Sequence, residues 1–93
     1  MKISFYEKVQ LAAHIERKIS KLNIIDKDVE ILVYEDIGDQ LIREFGLNKK
    51  NPKLNKRYLY DAHEFIDSYE VPTYLKEMIR CSNVQTNYKP ADE

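Results

Sequence analysis

The sequence predicts a small all-α domain of four helices, and three observations lead to this fold class. Apolar residues recur every three or four positions through most of the chain, which is the period of an amphipathic helix. Only two glycines and three prolines occur among 93 residues, fewer than a fold of many short strands and turns needs. The single candidate strand, residues 29–34, has no second clear strand with which to pair.

The first helix is predicted to run from Phe5 to about Leu22. Ser4 and Glu7 have the S-x-x-E spacing of a capping box, in which two free N–H groups at a helix start find acceptors. The predicted core stripe recurs every three or four residues and consists of Phe5, Val9, Ala12, Ile15, Ile19 and Leu22. Polar side chains, His14 among them, share the opposite side. This helix is therefore expected to bury one face.

The second helix is predicted from about Asp28 to Phe45, and it contains the most ambiguous segment of the chain. Within residues 29–34, apolar residues alternate as in a strand, and the residue types are good β-formers. The same segment also fits a helical stripe of Val29, Val33, Ile37, Leu41 and Phe45. The helix is preferred because a lone strand would leave its backbone N–H and C=O groups unpaired.

Single residues mark the ends of this second helix and a weak point within it. Asp26 or Asp28 is available as its N-cap. Gly38 is expected to weaken the helix by about 1 kcal/mol relative to alanine. Gly46 stands where a left-handed cap is wanted, and Leu47 is expected to fold back on the last turn.

The C-terminal half is predicted to be an αα-hairpin of two shorter helices. Helix three has the clearest amphipathic pattern, with apolar positions at Tyr58, Leu59, Ala62, Phe65, Ile66 and Tyr69. Pro72 is expected to end it and to begin helix four, which runs to about Cys81. The predicted buried face of helix four consists of Val71, Leu75, Met78 and Ile79. Because residues 83–93 lack periodicity, the chain is predicted to comprise one helical domain, residues 1–82, and a flexible C-terminal tail, residues 83–93.

Composition and charge argue against several function classes. The formal net charge of −1 at pH 7 gives no global attraction to nucleic acid or to an anionic membrane. Charge is segmented, since residues 26–40 hold six acids against one base and residues 43–57 hold six bases against one acid. No apolar run approaches the roughly 20 residues of a membrane span. The charged N-terminus lacks the apolar core of a signal peptide and the single cysteine cannot form an intrachain disulfide, so a cytoplasmic location is predicted.

The sequence contains no recognised catalytic or metal-binding motif. It has no glycine-rich phosphate loop, G-x-S-x-G, C-x-x-C or H-E-x-x-H, so no enzymatic activity, cofactor or metal is expected. His63 and Asp67 are one helical turn apart with Glu64 adjacent, but a metal site needs a third ligand with compatible spacing. A solvated polar face is the preferred interpretation. Cys81, near a helix C-terminus, is expected to be a small packing residue rather than a nucleophile.

The best candidates for contact with a partner are a basic loop and two tyrosines. The candidate residues are Lys49, Lys50, Lys53, Lys56, Arg57, Tyr60 and Tyr74. The loop has the charge to contact nucleic acid or an acidic protein, and the alternative is a solvated connection that keeps the chain soluble. Tyr60 and Tyr74 fall outside the predicted core stripes. Exposed tyrosine is typical of protein interfaces, although scattered surface aromatics are also common.

Two segments of the chain resemble a known family. They are REFGLN, residues 43–48, and YLYDAHEFIDSYEVPTYLKEMI, residues 58–79. They look like the all-helical C-terminal domain of phage antirepressor and Rha-type regulatory proteins, in which a long helix ends at an aromatic–glycine pair before a polar loop and two further helices. The corresponding positions are Phe45–Gly46, the helix core Ala62, Phe65 and Ile66, and the break Val71–Pro72. The likeness extends over about Phe5 to Ile79.

The resemblance implies a regulatory protein without catalytic residues. Such proteins usually carry this module behind a larger DNA-linked N-terminal domain, which this sequence lacks, so a freestanding adaptor or inhibitor is expected. The leading hypothesis is a phage or prophage regulatory protein that binds another protein, as an antirepressor or as an inhibitor of a host factor. The alternative is a nucleic-acid-binding transcriptional regulator that uses the basic loop, residues 49–57, and helix four. A third hypothesis is self-association as a homo-oligomer.

Overall fold

The computed structural model describes residues 4–50 and 54–87 of the chain. Within these residues it contains four α-helices and no strand, which confirms the predicted all-α fold class. The segment 29–34 is helical, so the strand alternative is wrong. Among the described helices, none is both long enough and apolar enough to cross a membrane.

The first helix, α1, runs from Phe5 to Ser20. The predicted capping box is present: the Ser4 hydroxyl accepts from the N–H of Glu7 at 3.1 Å, and the Glu7 carboxylate accepts from the N–H of Ser4 at 3.1 Å. The helix ends slightly before the predicted Leu22. The chain then turns through Asn23, whose φ of 54° lies in the left-handed region that asparagine tolerates better than most residues.

The second helix, α2, runs from Lys27 to Phe45. Of the two predicted N-caps, Asp26 is the one used, because its carboxylate accepts from the N–H groups of Asp28 and Val29 at 2.8 and 3.2 Å. Gly46 ends the helix with a φ of 64°, as predicted. The N–H of Leu47 donates to the carbonyl of Ile42 at 2.9 Å, and the Leu47 side chain folds back onto the core.

The third helix, α3, runs from Tyr58 to Asp67, and the fourth, α4, from Thr73 to Asn87. The predicted end of helix four at Cys81 is wrong, because the helix continues past it to Asn87. Asn83 explains part of this extension: its side-chain amide donates to the carbonyl of Asn23 at 2.8 Å, and its oxygen accepts from the N–H of Ile25 at 3.0 Å. The helix thus continues through the predicted boundary between residues 82 and 83, and residues 88–93 lie outside the described residues.

The four helices are organised around α2. The helix α1 packs on it through a short turn and therefore runs antiparallel to it, and α3 also packs against both α1 and α2. Because Tyr58 contacts Phe45 whereas Tyr69 reaches Asp36, α3 covers the C-terminal half of α2. The helix α4 then continues along the N-terminal half of α2, where it reaches the α1–α2 turn through Asn83.

The prediction that α3 and α4 form an αα-hairpin is wrong. Within the described residues these two helices make no close backbone contact with each other. The connection from Ser68 to Pro72 carries the chain onward along α2 instead of reversing it beside α3. The physical reason is that Tyr69 and Leu75 are buried in the common core, so each helix uses its apolar face against α2. Two helices that both bury their stripes on a third have no apolar face left for each other.

One hydrophobic core holds the helices together. Its buried members are Leu11, Ile15, Ile19, Val33, Ile37, Leu41, Tyr58, Ala62, Ile66, Tyr69 and Leu75. The α2 and α3 positions agree well with the predicted stripes. On α1 the prediction is partly wrong, because Phe5 and Val9 are exposed and Leu11, which the stripe omitted, is buried. On α4 the predicted core residue Met78 is also exposed.

Candidate functional site

The basic loop follows the C-terminal end of α2. Its described cations, Lys49, Lys50, Lys56 and Arg57, are all exposed, and Lys53 lies outside the described residues. The stem of the Lys49 side chain lies over Gly46, within 4 Å of where a Cβ on that glycine would be. The loop therefore presents its positive charge to solvent beside the αL cap.

Among the described residues of this region, Arg57 and Tyr60 are two predicted site residues that contact each other. The guanidinium of Arg57 lies over the Tyr60 ring, 4.7 Å from its centroid, in a cation–π arrangement. The Tyr60 side chain remains 54% exposed. Interaction with the Glu64 carboxylate raises the pKa of the Tyr60 hydroxyl above its ordinary value. This Arg57–Tyr60 pair is thus partly ordered before any partner arrives.

Tyr74 is exposed as predicted, but it is not part of the same surface. It is 62% exposed in the first turn of α4. Tyr60 lies in the first turn of α3, so the length of α3 and the connection to α4 separate the two tyrosines along α2. The predicted set therefore divides into the loop with Tyr60 and a separate Tyr74.

An acidic cleft lies beside α3 and shares Glu64 with the surroundings of Tyr60. Its floor is formed by Phe45 and Phe65, and its carboxylates are those of Glu44, Asp61, Glu64 and Asp67. The ring centroids of Phe45 and Phe65 are 6.0 Å apart in an edge-to-face arrangement. Strong negative charge therefore stands close to the basic loop, so this part of the molecule has no uniformly positive surface.

A histidine cluster joins α1 to α3, and sequence analysis missed it. The rings of His14 and His63 are stacked with their centroids 4.3 Å apart. The Nε2 atom of His14 is 2.7 Å from an Asp67 carboxylate oxygen, and Arg17 approaches His14 Nδ1 at 3.2 Å. Lys18 donates to the Asp67 carbonyl at 2.7 Å. His63 and Asp67 thus belong to an interhelical contact rather than to the free polar face that was predicted.

This histidine cluster packs α1 against α3, and it contains a titratable side chain, His63, whose pKa is shifted. Burial lowers the pKa of His63, electrostatic interaction with His14 and Arg17 lowers it further, and the Asp67 carboxylate opposes this shift. The Nε2 atom of His63 is buried without a hydrogen-bond partner among the described residues. No group of three or more metal-ligating side chains within residues 4–50 and 54–87 has the geometry to hold a metal ion. Cys81 is free and exposed, so its predicted role in packing is wrong.

A groove runs between α1 and α2, on their outward side. It consists of two cavities of about 300 and 320 Å³ that share Tyr34. One cavity is lined by Lys8, Ala12, Gly38 and Ile42 among others, and the other by Glu16, Glu30 and Ile31. Because Gly38 has no side chain and an added Cβ would meet nothing within 4 Å, the groove is open at this position. We call it the α1–α2 groove.

The sequence contains only partial signals for the histidine cluster and for the α1–α2 groove. His14 lies 49 residues before His63, and a single sequence gives no measure of which helix faces pair. Gly38 is an unusual residue in the interior of a helix, and such a glycine often marks a packing feature. The apolar pattern of α2 does not show which other helix lies beside Gly38.

The comparisons with known proteins identify the family. A domain described as ORF6C matches residues 25–79, which is more than half of the chain. This chain belongs to the ORF6C domain family. ORF6C domains occur in phage antirepressor and Rha-like proteins, so the predicted resemblance is confirmed and the chain is a phage-type regulatory protein.

The ORF6C match covers only part of the described fold. It includes all of α2 and α3 and the first half of α4, and with them Arg57, Tyr60 and Tyr74. The helix α1 lies outside the matched range, although it completes the core and contributes one wall of the α1–α2 groove. Neither curated proteins nor solved structures gave a significant match to the chain.

Proposed function

We propose that this ORF6C protein regulates by binding another protein, either as an antirepressor or as an inhibitor of a host factor. The proposed contact surface is the basic loop together with the Arg57–Tyr60 pair. The family supplies the regulatory context, and the surface chemistry supports a protein as the partner.

The Arg57–Tyr60 pair carries the proposal. Arginine and tyrosine are among the residues that contribute most to binding energy at protein interfaces, because each combines a large contact area with hydrogen-bonding groups. Their stacking at 4.7 Å restricts both side chains before binding, so less conformational entropy is lost in the complex. The exposed cations Lys49, Lys50 and Lys56 nearby favour a partner with an acidic surface.

The alternative, a nucleic-acid-binding regulator that uses the loop and α4, has weaker support. On α4 the guanidinium of Arg80 is paired with Glu77 at 2.8 Å, which reduces the free positive charge of that helix. The acidic cleft beside the loop would repel a phosphate backbone that followed α3. The described loop residues and α4 also lie at different halves of α2, so within the described residues they do not form one continuous basic surface.

Titration of the purified protein against repressor and replication proteins encoded by its phage and host tests the proposal. We expect one of these proteins to bind, and Arg57→Ala and Tyr60→Ala each to weaken that binding by roughly 5- to 100-fold, the range for truncation of a strong interface residue. Reversing the charge of Lys49, Lys50 and Lys53 to glutamate is expected to weaken binding further at low salt. Tyr74→Ala is a matched control, because it removes an equally exposed tyrosine outside this surface.

Two results would contradict the proposal. Unchanged affinity after Arg57→Ala, Tyr60→Ala and the triple charge reversal would exclude this surface. Binding of mixed-sequence duplex DNA at low salt, lost in the same variants and accompanied by no protein binding, would favour the nucleic-acid alternative instead.

A further inference from the structure

The α1–α2 groove is bordered by apolar side chains that the monomer leaves uncovered. On α1, Phe5 and Val9 are 81% and 47% exposed; they do not line the groove cavities, but they follow Ala12, which does, at helical spacing. On α2, Ile31 and Ile42 are 54% and 38% exposed, on either side of Gly38. Each set has helical spacing, i, i+4, i+7 on α1 and i, i+7, i+11 on α2. The apolar periodicity of α1 therefore includes residues that nothing in the described chain covers.

We propose that two copies of this chain pair through their α1–α2 grooves in an antiparallel arrangement about a twofold axis near Gly38. A twofold interface requires a surface that is complementary to itself when turned end for end. Both the charge and the size of the groove side chains meet this requirement.

Charge is of opposite sign at the two ends of the groove. Lys8 lines the cavity at one end, and Glu16 and Glu30 line the cavity at the other. Antiparallel pairing brings the Lys8 end of each copy to the Glu16 and Glu30 end of its partner. Parallel pairing would instead bring like charges together, so the charges select the antiparallel orientation.

The sizes of the groove side chains also fit the antiparallel arrangement. The proposed axis passes near the small residues Ala12 and Gly38, which line the Lys8-end cavity and allow two helices to approach closely. Larger side chains stand on either side of them, with Ile42 toward the Lys8 end and Tyr34 toward the Glu16 end. Turning a second copy end for end about this axis therefore sets Ile42 against Tyr34, both four residues from Gly38, and Lys8 against Glu16, both four residues from Ala12. The net charge of −1 per chain adds little repulsion between the copies.

Sedimentation equilibrium over a range of protein concentrations tests this pairing. The wild-type chain is expected to show a reversible monomer–dimer equilibrium. Ala12→Glu and Ile42→Glu are each expected to raise the dissociation constant at least about tenfold, because each places two buried charges in a twofold interface. Val84→Glu is the matched control, since Val84 is an exposed valine on α4, away from the groove. Circular dichroism of each variant verifies that the helices are retained.

Exchanging the charges of Lys8 and Glu16 tests whether the chains pair through the groove or only through nonspecific apolar contact. Lys8→Glu alone and Glu16→Lys alone are each expected to weaken dimerisation by roughly fivefold, the effect of two weak ion pairs per interface. The double variant with both substitutions is expected to recover most of the wild-type affinity, because it restores opposite charges across the twofold axis. A wild-type chain that remains monomeric at its solubility limit, or a double variant no better than the single ones, would overturn the proposal. The Arg57–Tyr60 surface does not line the groove, so partner binding is tested independently of this pairing.

Discussion

The helix α1 and the ORF6C-matched region differ in how their sequence relates to their structure. In residues 25–79, the apolar stripes predicted for α2 and α3 are the ones that the core buries. In α1, outside the match, the predicted stripe divides: Ile15 and Ile19 are buried, whereas Phe5 and Val9 face outward. A regular apolar pattern is therefore a reliable guide to burial only where neighbouring helices cover its whole width.

The two flanks of α1 also differ from each other. Toward α3 it is fixed by directional contacts, the His14–Asp67 bond at 2.7 Å and the Lys18 bond to the Asp67 carbonyl. Toward α2 it shares the buried core but leaves the open α1–α2 groove above it. The polar contacts set the rotation of α1, and that rotation decides which apolar residues stay exposed.

The largest expected effect distinguishes the buried from the exposed side of α1. Ile15→Ala removes a core side chain that is 4% exposed and is expected to lower the free energy of unfolding by about 2–5 kcal/mol, through lost burial and a cavity. Val9→Ala, on the exposed side, is expected to change it by less than about 0.5 kcal/mol. Urea unfolding at low protein concentration measures both. Equal losses would mean that α1 is rotated differently from the structure.

A smaller effect is expected from two buried tyrosines. The Tyr69 hydroxyl donates to the Asp36 carboxylate at 2.6 Å, whereas the Tyr58 hydroxyl is buried without a partner among the described residues. Tyr69→Phe is therefore expected to cost roughly 1–3 kcal/mol, and Tyr58→Phe to be neutral or stabilising. Burial, with a contribution from Glu7, raises the pKa of Tyr58 to about 12, in line with a poorly solvated hydroxyl. A large loss in Tyr58→Phe would show that its hydroxyl has a partner.

The two glycines have different roles: Gly38 lies in the open groove, whereas Gly46 adopts a backbone conformation that favours glycine. Gly38→Ala fits the groove and is expected to stabilise the monomer by about 0.5–1 kcal/mol, since alanine is the better helix former. Gly46→Ala must adopt a φ of 64° and is expected to destabilise by about 1–2 kcal/mol. Thermal unfolding of the two variants measures the difference in sign. Destabilisation by Gly38→Ala at a protein concentration low enough to keep the chain monomeric would mean that the groove is closed in the monomer.

Most of the fold could be predicted from periodicity and local end signals. Ser4 with Glu7, Asp26, Gly46 and Pro72 lie at or next to helix ends, because capping depends on residues close in sequence. The extension of α4 to Asn87 could not be predicted, since Asn83 finds its partners about 60 residues away.

The candidate site was predictable in composition but not in arrangement. Exposure of Tyr60 and Tyr74 follows from their position off the stripes, but their separation depends on how α3 and α4 lie along α2. The stacking of His14 on His63 required the relative rotation of α1 and α3, which no local pattern contains.

The smallest expected effect is a pH dependence at the α1–α3 flank. Burial lowers the pKa of His63 in the folded chain below its ordinary value of 6.5, so the unfolded chain binds this proton more readily. The stability that neutral His63 contributes is therefore fully present above about pH 6.5 and decreases as the pH falls below it. Urea unfolding at pH 7.5 and 5.5 should show a larger loss in the wild type than in His63→Phe, which keeps the stacked ring. An equal loss in both chains would exclude His63 as the cause.

The central structural claim is that α1 and the ORF6C-matched region share one core. Comparing the urea unfolding of the full chain with that of a chain beginning at Asn23 tests this claim most directly. Without α1, the core loses Leu11, Ile15 and Ile19, so the shortened chain is expected to lose its cooperative transition and much of its helical circular dichroism. A shortened chain that unfolds cooperatively at the same urea concentration as the full chain would contradict the account.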